Sequence, residues 1–276
     1  MKPPARELPK NVWLPGDEGG FSTRNTDLAA ALGTLGFACS THAVVDQASG
    51  RKRTAFFFGR ESLAAEFKAL SSRQLIKDFE SGQLERECPE HPLLDCLAGC
   101  LNRSRILDWL NQSHPMCLHA VQHGGQPVRM IYAHGSELPS FMLGNAFVTT
   151  PDLKKVAALG RVGCPLIKWE GHPTARRFYV AKHGHFLKGE RLDALQIFQD
   201  YAARGSDGKR KLEREQPEHP FLYVMRCLEN RDRLLDHLNR EIEVVVMQAL
   251  SGKKAFVRAD ASDAALARAE QHLLTR

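Results

Sequence analysis

The tetrapeptide Pro-Glu-His-Pro occurs twice in the chain, at Pro89–Pro92 and at Pro217–Pro220. Adjacent glutamate and histidine side chains are residue types that serve as general bases or as metal ligands. The candidate catalytic residues are therefore Glu90, His91, Glu218 and His219. No further histidine or carboxylate recurs beside them at ligand spacing, so we predict no metal site. A structural interpretation competes and is the one we favour: the prolines stiffen a turn while Glu and His cap a helix.

A second repeated pattern, Asn-Arg-x-Arg, lies at residues 102–105 and again at residues 230–233. Arginine binds phosphate through two parallel N–H donors, and two copies of the pattern would supply paired phosphate contacts. The candidate nucleic-acid-binding residues of this pattern are Arg103, Arg105, Arg231 and Arg233. The competing interpretation is an exposed helix corner whose arginines pair with Glu85, Glu87 and Asp108.

A basic loop, Gly205–Lys211, adds Lys209, Arg210 and Lys211 to the candidate nucleic-acid-binding residues, and Arg204 and Arg214 lie nearby in the same basic patch. The whole chain carries a formal net charge of +6 and has a sequence pI of about 9.0. This balance favours an acidic partner, with nucleic acid as the first choice. The alternative for the loop is a solvated charged surface with no ligand.

The seven cysteines include no Cys-x-x-Cys pair, which indicates a reducing cytoplasm rather than a disulfide framework. When the two repeats described below are aligned, Cys96 and Cys100 fall opposite Val224 and Leu228. Apolar residues at the matched positions favour buried thiols that fill core space. Nucleotide-binding glycine loops and the common hydrolase signatures are absent, so we predict no cofactor.

Three consecutive phenylalanines, Phe56–Phe58, form the centre of a strand-like segment. Successive side chains of a strand point to opposite faces. One of these rings could stack on a base, as in sheet-based RNA binders. We favour the alternative, a strand buried in the core.

An internal duplication is the feature that must position these residues. Residues 84–111 align without a gap to residues 212–239, and 16 of the 28 positions are identical. The match continues on both sides, for example from Ala30–Gly36 to Ala157–Gly163. The sequence therefore predicts two tandem copies of one domain. The predicted organisation is a flexible leader (1–20), repeat one (21–133), a linker (134–146), repeat two (147–260) and a C-terminal helical tail (261–276).

Each repeat is predicted to be a small α+β domain with antiparallel hairpins and packed helices, the two copies being related by a pseudo-two-fold axis. Helices are expected to start at Thr26-Asp27 and Pro151-Asp152 and to end at Gly36 and Gly163. The predicted hairpins join Cys39–Val45 to Thr54–Phe58 and Cys164–Trp169 to Arg177–Val180. Further helices are predicted at Leu63–Leu70, Arg73–Phe79 and Arg191–Tyr201. After each Pro-Glu-His-Pro, a helix is expected to break within Asn-Arg-x-Arg and to restart at Ser104 or Asp232.

The start of each repeat resembles small domains of unknown function found in bacterial and phage proteins. The residues that carry the resemblance are Phe21, Thr23, Asp27, Leu32 and Gly36, and in repeat two Phe147, Thr149, Asp152, Leu159 and Gly163. It covers about forty residues of each copy. It implies a fold class and a link to phages or mobile elements, and it implies no activity.

A non-catalytic tandem-domain binding protein, associated with nucleic acid, is the function we favour, because rigid turns and charged helix corners recur whereas no nucleophile–base pair does. Two alternatives remain. One is an adaptor or inhibitor that binds a protein partner and is encoded by a phage or mobile element. The other is an enzyme that uses the repeated Glu-His pair. No apolar run is long enough to cross a membrane.

Overall fold

The structure is a computed structural model. It describes residues 20–45, 52–67, 69–111, 116–121, 129–134, 147–170, 176–185, 191–239, 244–248 and 254–258. The predicted leader, apart from Gly20, lies outside these residues. All of the predicted helical tail and all of the predicted linker except His134 also lie outside them.

The α+β class is confirmed, because short helices alternate with antiparallel strands. The first elements are β1 (Phe21–Thr23), α1 (Thr26–Thr34), β2 (Phe37–Val45) and β3 (Lys52–Ser62). A 3-10 turn (Ala65–Phe67) leads to α2 (Ser72–Glu80), α3 (Gln83–Glu87), α4 (Pro92–Asn111), β4 (Met116–Val121) and β5 (Arg129–His134).

A similar order of elements follows along the chain. It comprises β6 (Phe147–Thr150), α5 (Leu153–Arg161), β7 (Leu166–Glu170), β8 (Arg177–Ala181), β9 (His183–His185) and β10 (Arg191–Asp193). The last elements are α6 (Ala194–Ala202), α7 (Lys211–Glu215), α8 (Pro220–Asn239), β11 (Val244–Gln248) and β12 (Lys254–Arg258).

Local side-chain chemistry sets the ends of the first helix in each series. The Asn25 side chain accepts hydrogen bonds from the backbone N–H groups of Asp27 and Leu28, which caps α1 one residue before the predicted start. Asp152 caps α5 in the same way. The predicted glycine terminators are confirmed, since Gly36 and Gly163 have φ values of 85° and 86°, a region that other residues rarely adopt.

The described residues form two compact units that do not follow the boundaries of the sequence repeats. The split unit contains the described residues up to Leu93 together with those from Glu229 onward. The continuous unit is Leu94–Leu228. One boundary lies near the start of α4 and the other lies inside α8, so each long helix has residues in both units.

Strand pairing within the split unit brings distant parts of the chain together. Its sheet has the order β1-β3-β2-β11-β12, and Val245 of β11 pairs with Ser40 of β2. A hairpin that belongs to repeat two therefore extends a sheet that is built from repeat one.

Three small sheets make up the continuous unit. One is the three-stranded sheet β6-β8-β7, and the others are the pairs β4-β5 and β9-β10. Strand β4 of repeat one lies close to β7 of repeat two. Each unit thus contains the first part of one repeat and the closing hairpin of the other.

Two predicted elements are wrong. The helix after each Pro-Glu-His-Pro does not break within Asn-Arg-x-Arg, because α4 and α8 both continue without interruption for 20 residues. The buried side chains of Asn102 and Asn230 form tertiary hydrogen bonds that outweigh their local preference for a helix end. The predicted helix at Leu63–Leu70 is reduced to the 3-10 turn Ala65–Phe67 in the described residues.

None of the helices in the described part of the chain combines the length and the apolar composition that crossing a bilayer requires.

Candidate functional site

The histidine of each Pro-Glu-His-Pro caps the helix that follows it. His91 Nδ1 accepts a hydrogen bond from the backbone N–H of Leu93 at 3.2 Å, and His219 Nδ1 accepts one from Phe221 at 3.1 Å. In each case the proline occupies the first helical position, where its missing N–H costs nothing. The structure therefore places both histidines as the structural interpretation expects.

Burial keeps these imidazoles neutral. It lowers the pKa of His91 below its ordinary value and lowers the pKa of His219 to about 4. A neutral ring retains the Nδ1 lone pair that the cap requires. The neighbouring carboxylates of Glu90 and Glu218 are exposed, so the two residue types of each pair have different environments.

The asparagine of each Asn-Arg-x-Arg contacts a short helix within its own unit. Asn102 Nδ2 donates to the carbonyl of Ala157 in α5 at 3.3 Å. Asn230 Nδ2 donates to Thr34 Oγ1 of α1 at 3.1 Å, and that hydroxyl donates to the carbonyl of Ala30 at 2.8 Å. The two bonds differ by one intervening hydroxyl group, and both hold helices of different repeats together.

The arginines of this pattern are half-buried rather than fully exposed. They are Arg103, Arg105, Arg231 and Arg233. The Nε of Arg231 donates to the carboxylate of Asp27, with side chains 18% and 30% exposed. Arg231 thus forms an ion pair inside the split unit. The sequence predicted ion pairs for these arginines, but with Glu85, Glu87 and Asp108 rather than with Asp27.

The basic loop forms a tight turn between α6 and α7, in the continuous unit. An antiparallel bridge between Arg204 and Arg210 closes the turn. The guanidinium of Arg210 lies 3.7 Å from the centroid of the Tyr201 ring and also donates to the Tyr201 carbonyl at 3.0 Å. Lys211 Nζ pairs with Asp200 at 2.8 Å, which lowers the pKa of that carboxyl. Lys209 is exposed.

Two exposed arginines that flank the basic loop in the sequence lie at the same turn. Arg204 Nη1 donates to the carbonyl of Gly208 at 3.1 Å. A Cβ atom added to Gly205 would lie 2.6 Å from Nη1 of Arg214, so this guanidinium rests directly on the turn. We call Arg204, Lys209 and Arg214 the basic turn. The bridge that closes the loop brings these three residues together.

Buried thiols are core residues, as predicted from the alignment of the repeats. Cys96 and Cys100 of α4 and Cys227 of α8 are buried in the continuous unit, and the Sγ atoms of Cys100 and Cys227 are 3.6 Å apart. Burial raises the pKa of Cys96 and raises that of Cys164 to about 12. These thiols are protonated at neutral pH and are poor nucleophiles.

The phenylalanine triplet is confirmed as a core strand. Phe56, Phe57 and Phe58 of β3 are all buried. Two aromatic rings in the sheet of the continuous unit are more accessible, since Phe147 is 44% exposed and Tyr179 is half-buried.

Among the described residues, no group of three or more His, Cys, Asp or Glu side chains is arranged to hold a metal ion. No protein-family model matches the chain, and comparisons with curated proteins and with solved structures find no significant similarity.

Proposed function

We propose that the protein is a non-catalytic binding protein for nucleic acid, with the basic turn as its phosphate contact. The observation that carries this proposal is the clustering of three exposed cations, Arg204, Lys209 and Arg214, on one closed turn. Lysine and arginine side chains that contact phosphates release counterions and so provide sequence-independent affinity.

The turn holds its cations in place without neutralising all of them. Arg210 and Lys211 are engaged with Tyr201 and Asp200, and they fasten the ends of the loop. Asp207 accepts from the backbone N–H of Lys209 at 3.0 Å and supplies one negative charge within the turn. The three exposed cations of the basic turn therefore outnumber its one exposed carboxylate.

Two observations support binding over catalysis. The Nδ1 atoms of His91 and His219 are already used as helix caps. Burial also holds the Cys96 and Cys164 thiols in their protonated form. These two histidines and two cysteines thus have structural roles here.

We further propose that the chain consists of two copies of one α+β domain related by a pseudo-two-fold axis, with exchanged closing hairpins. The equal lengths of α4 and α8 and their identical histidine caps support this proposal. Reciprocal contacts support it as well. Val224 packs on Gly99, and Cys227 interacts with Cys96. In the alignment Val224 matches Cys96 and Cys227 matches Gly99, so each contact is the counterpart of the other.

A reducing cytoplasm is the location that we propose, and it is supported by the thiol form of the cysteines whose side chains the structure describes. We retain a phage or mobile-element origin as a proposal that rests on the resemblance of Phe21–Gly36 and its counterpart. A protein-binding adaptor or inhibitor remains the alternative function.

The test is fluorescence anisotropy with labelled single-stranded and duplex oligonucleotides across a salt series. We expect affinity to fall with salt, and the double variant Arg204→Ala/Lys209→Ala to reduce the slope of log affinity against log salt by about 2. The matched control is Arg86→Ala, because Arg86 is exposed and occupies in repeat one the position of Arg214. This control should bind like the wild type.

Absence of any binding at low salt, or binding that is insensitive to salt, would overturn the proposal. In that case, a host protein that stays bound after nuclease treatment would favour the adaptor.

A further inference from the structure

We propose that the outward face of the sheet β6-β8-β7 binds single-stranded nucleic acid by stacking bases on Phe147 and Tyr179. This inference rests on the proposed function and adds to it a second contact surface and a preference for unpaired strands.

The sheet has one buried and one outward face. In β6, Val148 and Thr150 are buried, whereas Phe147 and Thr149 are exposed. In β8, Phe178 and Val180 are buried, whereas Arg177 is exposed and Tyr179 is half-buried. Thr149 pairs directly with Tyr179, which places the outward residues of both strands on the same face.

The two rings form a pair without stacking on each other. Their centroids are 6.3 Å apart and their planes are perpendicular. Phe147 is 44% exposed, although a phenylalanine is normally among the residues that a fold buries. An edge-to-face pair fixes the ring orientations and leaves aromatic surface open for a base, and such stacking tolerates any base because every base has a π-face.

Charge around the rings favours a polyanion as the occupant. Arg177 lies two residues from Tyr179 on the same strand and therefore on the same face. The exposed guanidinium of Arg177 can donate to the phosphate oxygens of such a polyanion, whereas a purely apolar partner offers it no acceptor.

An unpaired strand fits this surface better than a duplex does. Bases in a duplex are stacked on each other and cannot lie on a flat protein surface, whereas splayed bases of a single strand can stack on aromatic side chains. The rings of Phe56–Phe58 are buried and so are not accessible to a base, whereas Phe147 is 44% exposed.

The experiment measures anisotropy of a labelled oligothymidylate of about 15 nucleotides, a length within the range that single-strand binding sites cover. Phe147→Ala and Tyr179→Ala should each weaken binding by about 5-fold to 100-fold, which corresponds to the loss of one stacked base. Tyr179→Phe keeps the ring and should bind like the wild type.

Leu195→Ala is the control, because Leu195 is 40% exposed on α6 and lies outside the sheet. It should leave binding unchanged, and circular dichroism should confirm that every variant is folded. If the wild type binds but Phe147→Ala and Tyr179→Ala bind equally well, the sheet face is the wrong site while the proposed function stands. If duplex of the same length competes as strongly as the single strand, stacking is refuted. If the wild type binds no oligonucleotide, the proposed function itself fails.

Discussion

Strands β3 and β8 each pair with a strand on both sides, β3 with β1 and β2 and β8 with β6 and β7, yet they are buried differently. Five consecutive residues of β3, Ala55–Gly59, are buried, so both faces of that strand are covered. Strand β8 is exposed at Arg177 and half-buried at Tyr179. The same arrangement of strands therefore provides a two-sided core in the split unit and a one-sided sheet in the continuous unit.

The largest difference in stability is expected at two matched ring positions. Phe56 pairs with Thr23, and Tyr179 pairs with Thr149. We expect Phe56→Ala to lower the free energy of unfolding by about 3–5 kcal/mol, because it leaves a cavity in a fully buried site. Tyr179→Ala should lower it by less than about 1 kcal/mol, since an exposed face can hydrate. Urea denaturation followed by circular dichroism measures both. Equal losses would mean that the two sheets are buried alike.

The second contrast is between ion pairs. The guanidinium of Arg161 contacts Asp95 at 2.7 Å, with side chains only 3% and 4% exposed. Asp95→Ala should cost about 3–5 kcal/mol, because it leaves an uncompensated buried charge. Arg231→Ala, which breaks the more exposed pair with Asp27, should cost about 1 kcal/mol or less. The double variant Asp95→Ala/Arg161→Met should recover most of the loss in the same denaturation assay. Failure to recover would assign the cost to packing rather than to charge.

Acid should weaken the histidine caps over a defined pH range. The folded-state pKa of His219 is about 4, below the ordinary value of 6.5, so stability is complete above about pH 6.5 and falls as the pH drops towards 4. The loss reaches up to about 3 kcal/mol, because the unfolded chain binds a proton that the folded chain excludes. His219→Asn keeps an acceptor at the cap and should flatten this part of the pH profile. A profile identical to that of the wild type would contradict the cap's role. His91→Asn provides the comparison in the split unit.

The smallest effect concerns two helical glycines. A Cβ atom at Gly99 would lie 2.2 Å from Cγ1 of Val224, whereas one at Gly33 would lie 3.9 Å from its nearest neighbour, Nδ2 of Asn230. Gly99→Ala should therefore cost about 1–3 kcal/mol through overpacking. Gly33→Ala should be neutral or stabilising by up to about 1 kcal/mol, since alanine is the better helix former. Melting temperatures of the two variants check the sign, and a tolerated Gly99→Ala would show that α4 and α8 can move apart.

Features governed by neighbouring residues were predictable from the sequence. The turn after the first helix of each repeat needs a positive φ, and the glycines at positions 36 and 163 predict this turn. The capping role of His91 follows from its place before a proline at the start of a helix. The buried strand at Phe56–Phe58 follows from its aromatic run.

Tertiary contacts account for most of what the sequence did not reveal. Asn102 looked like a helix breaker, but its side chain is satisfied by the Ala157 carbonyl, which is far away in sequence. The buried pair of Asp95 and Arg161 was hidden for another reason. Its two positions are occupied in the other repeat by Tyr223 and Thr34, so a comparison of the copies directs attention away from it.

The candidate site was predictable only in part. The charges of Lys209, Arg204 and Arg214 were visible in the sequence as one basic patch, but their clustering on a closed turn depends on the fold. Phe147 and Tyr179 belong to common residue types, and only the exposure of one face of the sheet distinguishes them from core aromatics. Exposure depends on what packs against a strand, and a single sequence carries little information about that packing.

The pairing of β11 with β2 has a consequence for synthesis of the chain on the ribosome. The residues of the continuous unit, Leu94–Leu228, have all been added before β11 is made. At roughly 5–20 residues per second, about 200 residues separate the two strands, so β2 waits about 10–40 seconds for its partner. During that interval its edge offers unpaired N–H and C=O groups to other nascent chains. The first unit to begin is thus the last to be completed, and it is the one exposed to misassembly in the meantime.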